Sequence, residues 1–247
     1  MLSNRYDSAW ALVEHVIDHT RTLLLYGPPG TGKTYAAHGG SAMSPAVEAA
    51  ETAETSRPVY SVTLTADTPA AELRGHYVPM GGEFIWRDGP VIRAWREGAR
   101  LIVNEIDHAG SDALSFLLVA LDNPETARLT LPNGETVRPA REFSCVATMN
   151  GDPAADLPEA LRDRFPVRVE IDTPHPKGVD SLPEDLRDAA RGTVTAQEPE
   201  RRITLRAWLA FAALRVRADE ECAALAVFGR ERAADVLQSL RLAAGRA

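Results

Sequence analysis

The chain has 247 residues, 45% hydrophobic and 25% charged, the balance of a globular protein large enough for one domain or a domain with a smaller companion. A formal net charge of −8 sets it against nucleic acid and anionic membrane surfaces rather than toward them. No apolar run approaches the roughly 18–20 residues that span a bilayer, and Asp7 and Glu14 interrupt the region where a signal peptide needs apolar residues, so a cytoplasmic protein is expected, with no membrane and no direct nucleic-acid contact.

In chain order, residues 6–19 place Trp10, Val13 and Ile17 on one stripe and predict an amphipathic helix. "TLLLYG" (22–27) follows as the first of five near-continuous apolar segments. The others are "VYSVTLT" (59–65), "LIVNEI" (101–106), "FSCVATMN" (143–150) and "VRVEI" (167–171), the pattern of strands covered on both faces. Residues 45–58 are acidic and poorly patterned and read as a surface excursion. "GGEFIWRDGP" (81–90) predicts a hairpin arm turning at Asp88-Gly89, and "PVIRAWREG" (90–98) a helix with Pro in its first turn and a stop at Gly98. "SDALSFLLVALDNP" (111–124) predicts a helix capped by Ser111 or Asp112. Asn133-Gly134, between short β-prone arms at 127–139, predicts a second hairpin.

From residue 174 the pattern changes. "TPHPKGVDSLPED" is rich in Pro and Gly, and only helical patterns come after it, notably "LRAWLAFAALRVRA" and "ERAADVLQSLRLAA". Arginines alternate with acids in this last third, as on solvated helix faces. The expected fold is α/β, a five-stranded, mainly parallel sheet with flanking helices, followed by a small all-helical lid. The expected bounds are 1–173 for the α/β domain, 174–182 for a linker and 183–247 for the lid. Cys145 and Cys222 lack a metal-type spacing and are expected to be buried free thiols.

"GPPGTGKT" at 27–34 satisfies G-x-x-x-x-G-K-[ST] directly after an apolar strand. Gly27, Pro28, Pro29, Gly30, Thr31, Gly32 and Lys33 form a turn whose backbone N–H groups can converge on phosphate oxygens, and the helix beginning near Lys33 adds its positive end. Lys33 would reach the β and γ phosphates and the Thr34 hydroxyl a Mg²⁺ ion, giving ATP with Mg²⁺ as the expected ligand. Such a loop needs a second strand end that brings an acid to the metal and a base to the attacking water. "ARLIVNEID" is the candidate, with Glu105 as general base and Asn104 where the metal-orienting acid is expected.

With these motifs on view, the chain resembles an AAA+ ATPase of the MoxR and dynein-related branch, from about residue 10 to residue 240. "LRGHYVPMGGEFIWRDGPVIRAWREGARLIVNEID", "LTLPNGETVRPAREFSCVATMN", "LPEALRDRFPVRVEI" and "ITLRAWLAFAAL" follow that branch in order and spacing. The resemblance implies that Asn150 is the first sensor, holding the lytic water. Arg164 would be the finger inserted into a neighbour's site, with Arg162 as its competitor. It also implies that Arg206, just inside a helix capped by Thr204, is the second sensor. A finger that acts in trans implies a homo-oligomer, usually a hexameric ring, whose hairpins at 81–90 and 127–139 are candidates to face the pore or a partner. Relatives commonly remodel protein clients, often with a von Willebrand factor A domain partner. The short stretch before the first strand leaves client choice to surface loops.

Asn104 departs from the family pattern, which has Asp. The amide preserves shape and one acceptor but removes a negative charge beside Mg²⁺, so weakened Mg²⁺ use and slow turnover are expected. Asp107 lies on the strand face of Glu105 rather than of Asn104 if the strand persists, which makes it a poor substitute. Three further readings stay open: a nucleotide-gated assembly module with little catalysis, a motor subunit of a nucleic-acid or defence system, and a small-molecule P-loop kinase.

Overall fold

The structure, a computed structural model, describes residues 8–39, 57–196 and 198–244. Most of the acidic stretch read as a surface excursion, residues 45–56, lies outside the described residues. Ala9–Val16 forms α1, and Trp10, Val13 and Ile17 are buried as the stripe requires. Thr22–Tyr26 (β1) runs through the glycine-rich loop into Lys33–Ala37 (α2). Val59–Thr63 (β2) is followed by Ala70–Arg74 (α3) and by an antiparallel hairpin, Gly75–Met80 (β3) with Glu83–Asp88 (β4). Pro90–Glu97 (α4), Arg100–Asn104 (β5) and Ser111–Ala120 (α5) come next, then a short hairpin of Leu129–Thr130 (β6) and Thr136–Val137 (β7). Ser144–Thr148 (β8), Pro153–Asp156 (α6), Glu159–Asp163 (α7) and Val167–Glu170 (β9) follow. The rest is helical: Pro176–Asp180 (α8), Glu184–Val194 (α9), Leu205–Leu214 (α10) and Glu220–Ala244 (α11), the last broken at Gly229.

All five predicted strands join one parallel sheet in the order β2-β5-β8-β1-β9. The fold class is therefore the expected α/β core with a helical C-terminal region. β5 and β8, in the middle, are buried at every position, as near-continuous apolar strands should be. β2 pairs only with β5, and its residues alternate between exposed and half-buried, so the edge strand does not share the two-sided cover that its apolar residues suggested.

Three local expectations need correction. The hairpin at 75–88 turns at Gly81-Gly82, both with positive φ (61° and 90°), and Asp88-Gly89 instead leads into α4. Two successive positive-φ positions are what a tight hairpin turn demands, and glycine meets that demand without strain. The cap of α5 is Gly110, not Ser111 or Asp112. The chain passes so close to Ala66 that a β-carbon at 110 would sit 2.3 Å from that carbonyl oxygen, while Asp112 accepts a hydrogen bond from the Ala70 amide (2.7 Å). Cys145 is buried and its thiol is pushed up to about 12 by desolvation, but Cys222 is exposed; both are free. The hairpin at Asn133-Gly134 forms as read, with Asn133 Oδ1 accepting from the Glu135 amide at 3.0 Å.

Two compact units divide the described chain. Residues 11–27, 34–39 and 57–170 form the first, and residues 8–10, 28–33, 171–196 and 198–244 the second. In the first, Leu24, Leu101, Val103, Cys145 and Ala147 share a core with Val91, Ile92 and Trp95 of α4 and Ala113, Phe116 and Leu117 of α5. Leu23, Leu25, Ile102 and Val146 alternate with them and are also buried, on the opposite face of the sheet. In the second, Trp208, Phe211, Leu186, Val194 and Leu237 form the core, with the Phe228 ring tilted against Trp208 at 5.4 Å and against Phe211 at 5.1 Å. Val179 and Leu182, from the stretch expected to be a linker, are buried in that core.

Candidate functional site

Parallel strands bring their carboxyl ends to one edge of the sheet, where open α/β folds place ligands. Within the first unit this edge collects Thr34, Asn104, Glu105, Thr148 and Asn150. Asn104 ends β5, almost fully buried, and its carboxamide is engaged at both ends. Oδ1 accepts from the Thr34 hydroxyl at 3.0 Å and from the Thr148 hydroxyl at 3.3 Å. Nδ2 donates to Ser61 Oγ at 3.1 Å and, more weakly, to the Val62 carbonyl at 3.5 Å. The residue in the acid's place thus ties the first turn of α2 to β8 and to the edge strand β2. Ser61 and Thr148 were not singled out from the sequence. They come from two other strands, and only the parallel register, with Thr63 opposite Asn104, brings them near.

Glu105 is the one described non-glycine residue with positive φ (55°, ψ 49°). For a side chain without local Asn-type hydrogen bonding this conformation carries strain of roughly 1–3 kcal/mol, of a kind concentrated at functional sites. It also ends the strand, and Ile106–His108 turns into a single 3-10 turn. The face relation argued for Asp107 does not apply, because the strand stops before it. Asp107 has one carboxylate oxygen buried without a hydrogen-bond partner, and its other oxygen lies 3.7 Å from His108. Asn150 is exposed, two residues past β8.

The loop residues Pro28–Lys33 belong to the second unit. Gly30 (φ 76°) and Gly32 (φ 106°) both need the left-handed region, and neither has room for a side chain. A β-carbon at Gly30 would lie 2.5 Å from Thr204 Cβ, and one at Gly32 2.7 Å from His175 Cβ. Backbone hydrogen bonds reinforce both approaches, from the Leu205 amide to the Gly30 carbonyl (3.3 Å) and from the His175 amide to the Thr31 carbonyl (2.7 Å). The Lys33 ammonium is buried and donates to the Pro28 carbonyl at 2.7 Å, and Thr31 donates to the same carbonyl at 3.2 Å. Thr204 caps α10 as read, accepting from the Ala207 amide (3.2 Å), and Arg206 is exposed in the first turn of that helix. His175, whose ring lies 4.6 Å from that of Trp10, had no sequence signal beyond its place in a Pro-rich stretch.

Arg164 caps α7 in the first unit. It lies 3.2 Å from Asp122 and 3.6 Å from Asp163, and its Nε donates to the Leu118 carbonyl at 3.4 Å. Arg162, its competitor, is half-buried and accepts at its carbonyl from Arg168 (3.3 Å).

A strand, a glycine-rich loop with a terminal Lys-Thr, a helix, and a polar pair at the end of another strand of the same sheet are the sequence elements of a P-loop NTPase core. The chain belongs to the AAA domain family, dynein-related subfamily, whose profile matches residues 22–165. Protein NorQ of Paracoccus denitrificans is 35% identical over 173 residues, 67% of this chain and 58% of that protein. An uncharacterised protein of Staphylococcus haemolyticus is 32% identical over 184 residues, 70% of this chain and 65% of that one. The chain thus spans about three fifths of the curated relatives it matches. A crystal structure from Cytophaga hutchinsonii aligns with a TM-score of 0.48 at 21% identity, over 68% of this chain and 46% of that one. The family is one of ATPase domains that typically bind ATP with Mg²⁺ and often oligomerise and act with partner proteins. Among the described residues no helix is long and apolar enough to cross a membrane.

The fit to Mg²⁺ is limited. Thr34 and Asn104 offer two neutral oxygens already bonded to each other, and among the described residues no three acids, histidines or cysteines converge on a ready-made metal site. A magnesium ion needs several oxygens, and because Thr34 and Asn104 are both neutral the phosphates must supply the negative charge and water the remaining oxygens.

Proposed function

We propose that the chain is a subunit of a ring-forming, cytoplasmic ATPase, usually hexameric in this branch, that remodels or assembles a partner protein complex. A von Willebrand factor A domain protein is the candidate client or partner. In this reading residues 1–173 bind nucleotide and 183–247 act as a lid, joined through 174–182. The observation that carries it is the hydrogen bond between Thr34 and the residue ending β5, which couples the P-loop helix to the strand end that leads into Glu105. Gly27 to Lys33 would cradle the phosphates, and Thr34 and Asn104 would hold Mg²⁺, which neutralises phosphate charge when bound. Glu105 takes a proton from the attacking water as its oxygen bonds to the γ phosphorus and the bond to the β-phosphate oxygen breaks, leaving ADP and phosphate. Asn150 would hold that water, Arg206 would sense the phosphates from the lid, and a neighbour's Arg164 would stabilise the transferring charge.

A second reading, a nucleotide-gated assembly module, is favoured by the neutral and fully engaged Asn104 side chain. Phosphate release from Mg-ATP across a range of protein concentrations, with Glu105→Gln alongside, separates the two. Specific activity that rises with concentration and vanishes in E105Q supports the remodelling ATPase. Saturable ATP binding with ATP-dependent assembly and no phosphate release by either protein supports the module.

A further inference from the structure

Each nitrogen of the Arg164 guanidinium faces an acceptor on its own chain. Nε donates to the Leu118 carbonyl, Nη2 lies 3.2 Å from Asp122 and Nη1 3.6 Å from Asp163. Asp122 is itself held, since the same oxygen accepts from the Asn123 amide at 2.8 Å. Leu118 and Asp122 flank the C-terminal end of α5, where exposed carbonyls and the helix dipole favour a cation. Arg162, two residues earlier, makes no ion pair among the described residues, and its Nε is buried without a hydrogen-bond partner. The two arginines of the segment are therefore treated differently, and the one that matches the trans finger is the one held by acids.

We infer that Asp122 and the end of α5 park Arg164 in cis, and that docking of a second copy exchanges this hold for the neighbour's nucleotide. The inference rests on the reading of Arg164 as a trans finger and adds how that finger is kept inactive in an isolated subunit. A finger acts by turning its Nη groups to the transferring phosphoryl group, and here those groups face carboxylates. The hold is weak by construction. Asp122 is 46% exposed and Arg164 29% exposed, and pairs of this kind shift an equilibrium by no more than about fivefold. A triphosphate in a closed interface carries more charge than one half-solvated carboxylate and wins the exchange. In a lone subunit there is nothing to exchange for.

Asp122→Asn keeps the shape and the acceptor for the Asn123 amide while removing the charge. At protein concentrations below half-assembly, D122N is expected to raise specific ATPase activity about two- to fivefold, with no change at saturating concentration. The assembly midpoint, read by sedimentation velocity with a non-hydrolysable ATP analogue, should fall by the same factor, which gives a readout independent of turnover. An unchanged or weaker D122N by both measures, with Arg164→Ala abolishing the concentration-dependent activity, overturns the parking while leaving the finger in place. If Arg162→Ala abolishes that activity and R164A does not, the finger reading falls and the inference with it.

Discussion

Replacing Asn104 by aspartate would give the site the acid its family expects, and it should make the ligand-free protein less stable. Asn104 is 7% exposed, and its Nδ2 donates to Ser61 Oγ and the Val62 carbonyl. Ser61 can rotate its hydroxyl to donate instead, but the carbonyl cannot, so a carboxylate oxygen would face a carbonyl oxygen out of water. Leaving a buried acceptor without its donor costs about 1–3 kcal/mol. For a chain of this size that lowers Tm by about 5 °C, within a window of about 2–12 °C. Burial also raises the new carboxyl's pKa. The folded state then binds more protons than the unfolded one, so the penalty is smallest in acid and grows as pH rises through the folded pKa. Mg-ATP should reverse the order, because the cation gives the carboxylate a partner that the amide cannot fully use. Thermal melts of both proteins at pH 5 and pH 8, with and without Mg-ATP, test this. Equal apo melting points at pH 8, together with equal shifts on adding Mg-ATP, would refute the reasoning.

Three further outcomes are expected. Gly30→Ala forces a β-carbon against Thr204 at a positive φ, which should cost about 2–4 kcal/mol and weaken binding of a fluorescent ATP analogue. Trp208→Ala should cost about 3–5 kcal/mol in urea titration of the helical unit. Trp208→Phe should cost less, about 2 kcal/mol, because it keeps an aromatic ring beside Phe211 and Phe228 but loses the hydrogen bond from Nε1 to Thr193 and leaves a small cavity where the larger indole packed. A thiol reagent should label Cys222 alone in the native protein and both cysteines in denaturant, since Cys145 is buried and its thiol is held protonated by desolvation.

The strands were legible because their residues are apolar at nearly every position, a pattern that survives without knowledge of neighbours. The edge position of β2 was not, because pairing on one side only is a property of topology and leaves "VYSVTLT" looking like its central partners. Asp88-Gly89 is a strong turn signal in isolation. It lost to Gly81-Gly82 because the arms that pair, His76 with Arg87 and Val78 with Ile85, extend past the segment read as a hairpin. Gly110 was missed as a cap for a similar reason, since its constraint comes from Ala66 across a loop. At the candidate site, the P-loop and the Asn104-Glu105 pair are local words and could be read. The hydroxyls of Ser61 and Thr148 that satisfy the amide come from strands 43 and 44 residues away, and nothing in either segment marks them.

Glu105 has a consequence for how evolution and engineering can move this chain. Folding alone would favour glycine or asparagine at a left-handed position, so Glu105→Gly should melt higher than the natural protein even as it removes the carboxylate. With Glu105 as the general base proposed above, selection for thermal robustness and selection for turnover pull this single codon in opposite directions. A screen that rewards survival on heating would drift away from the carboxylate, and a library designed on stability scores would discard the residue first.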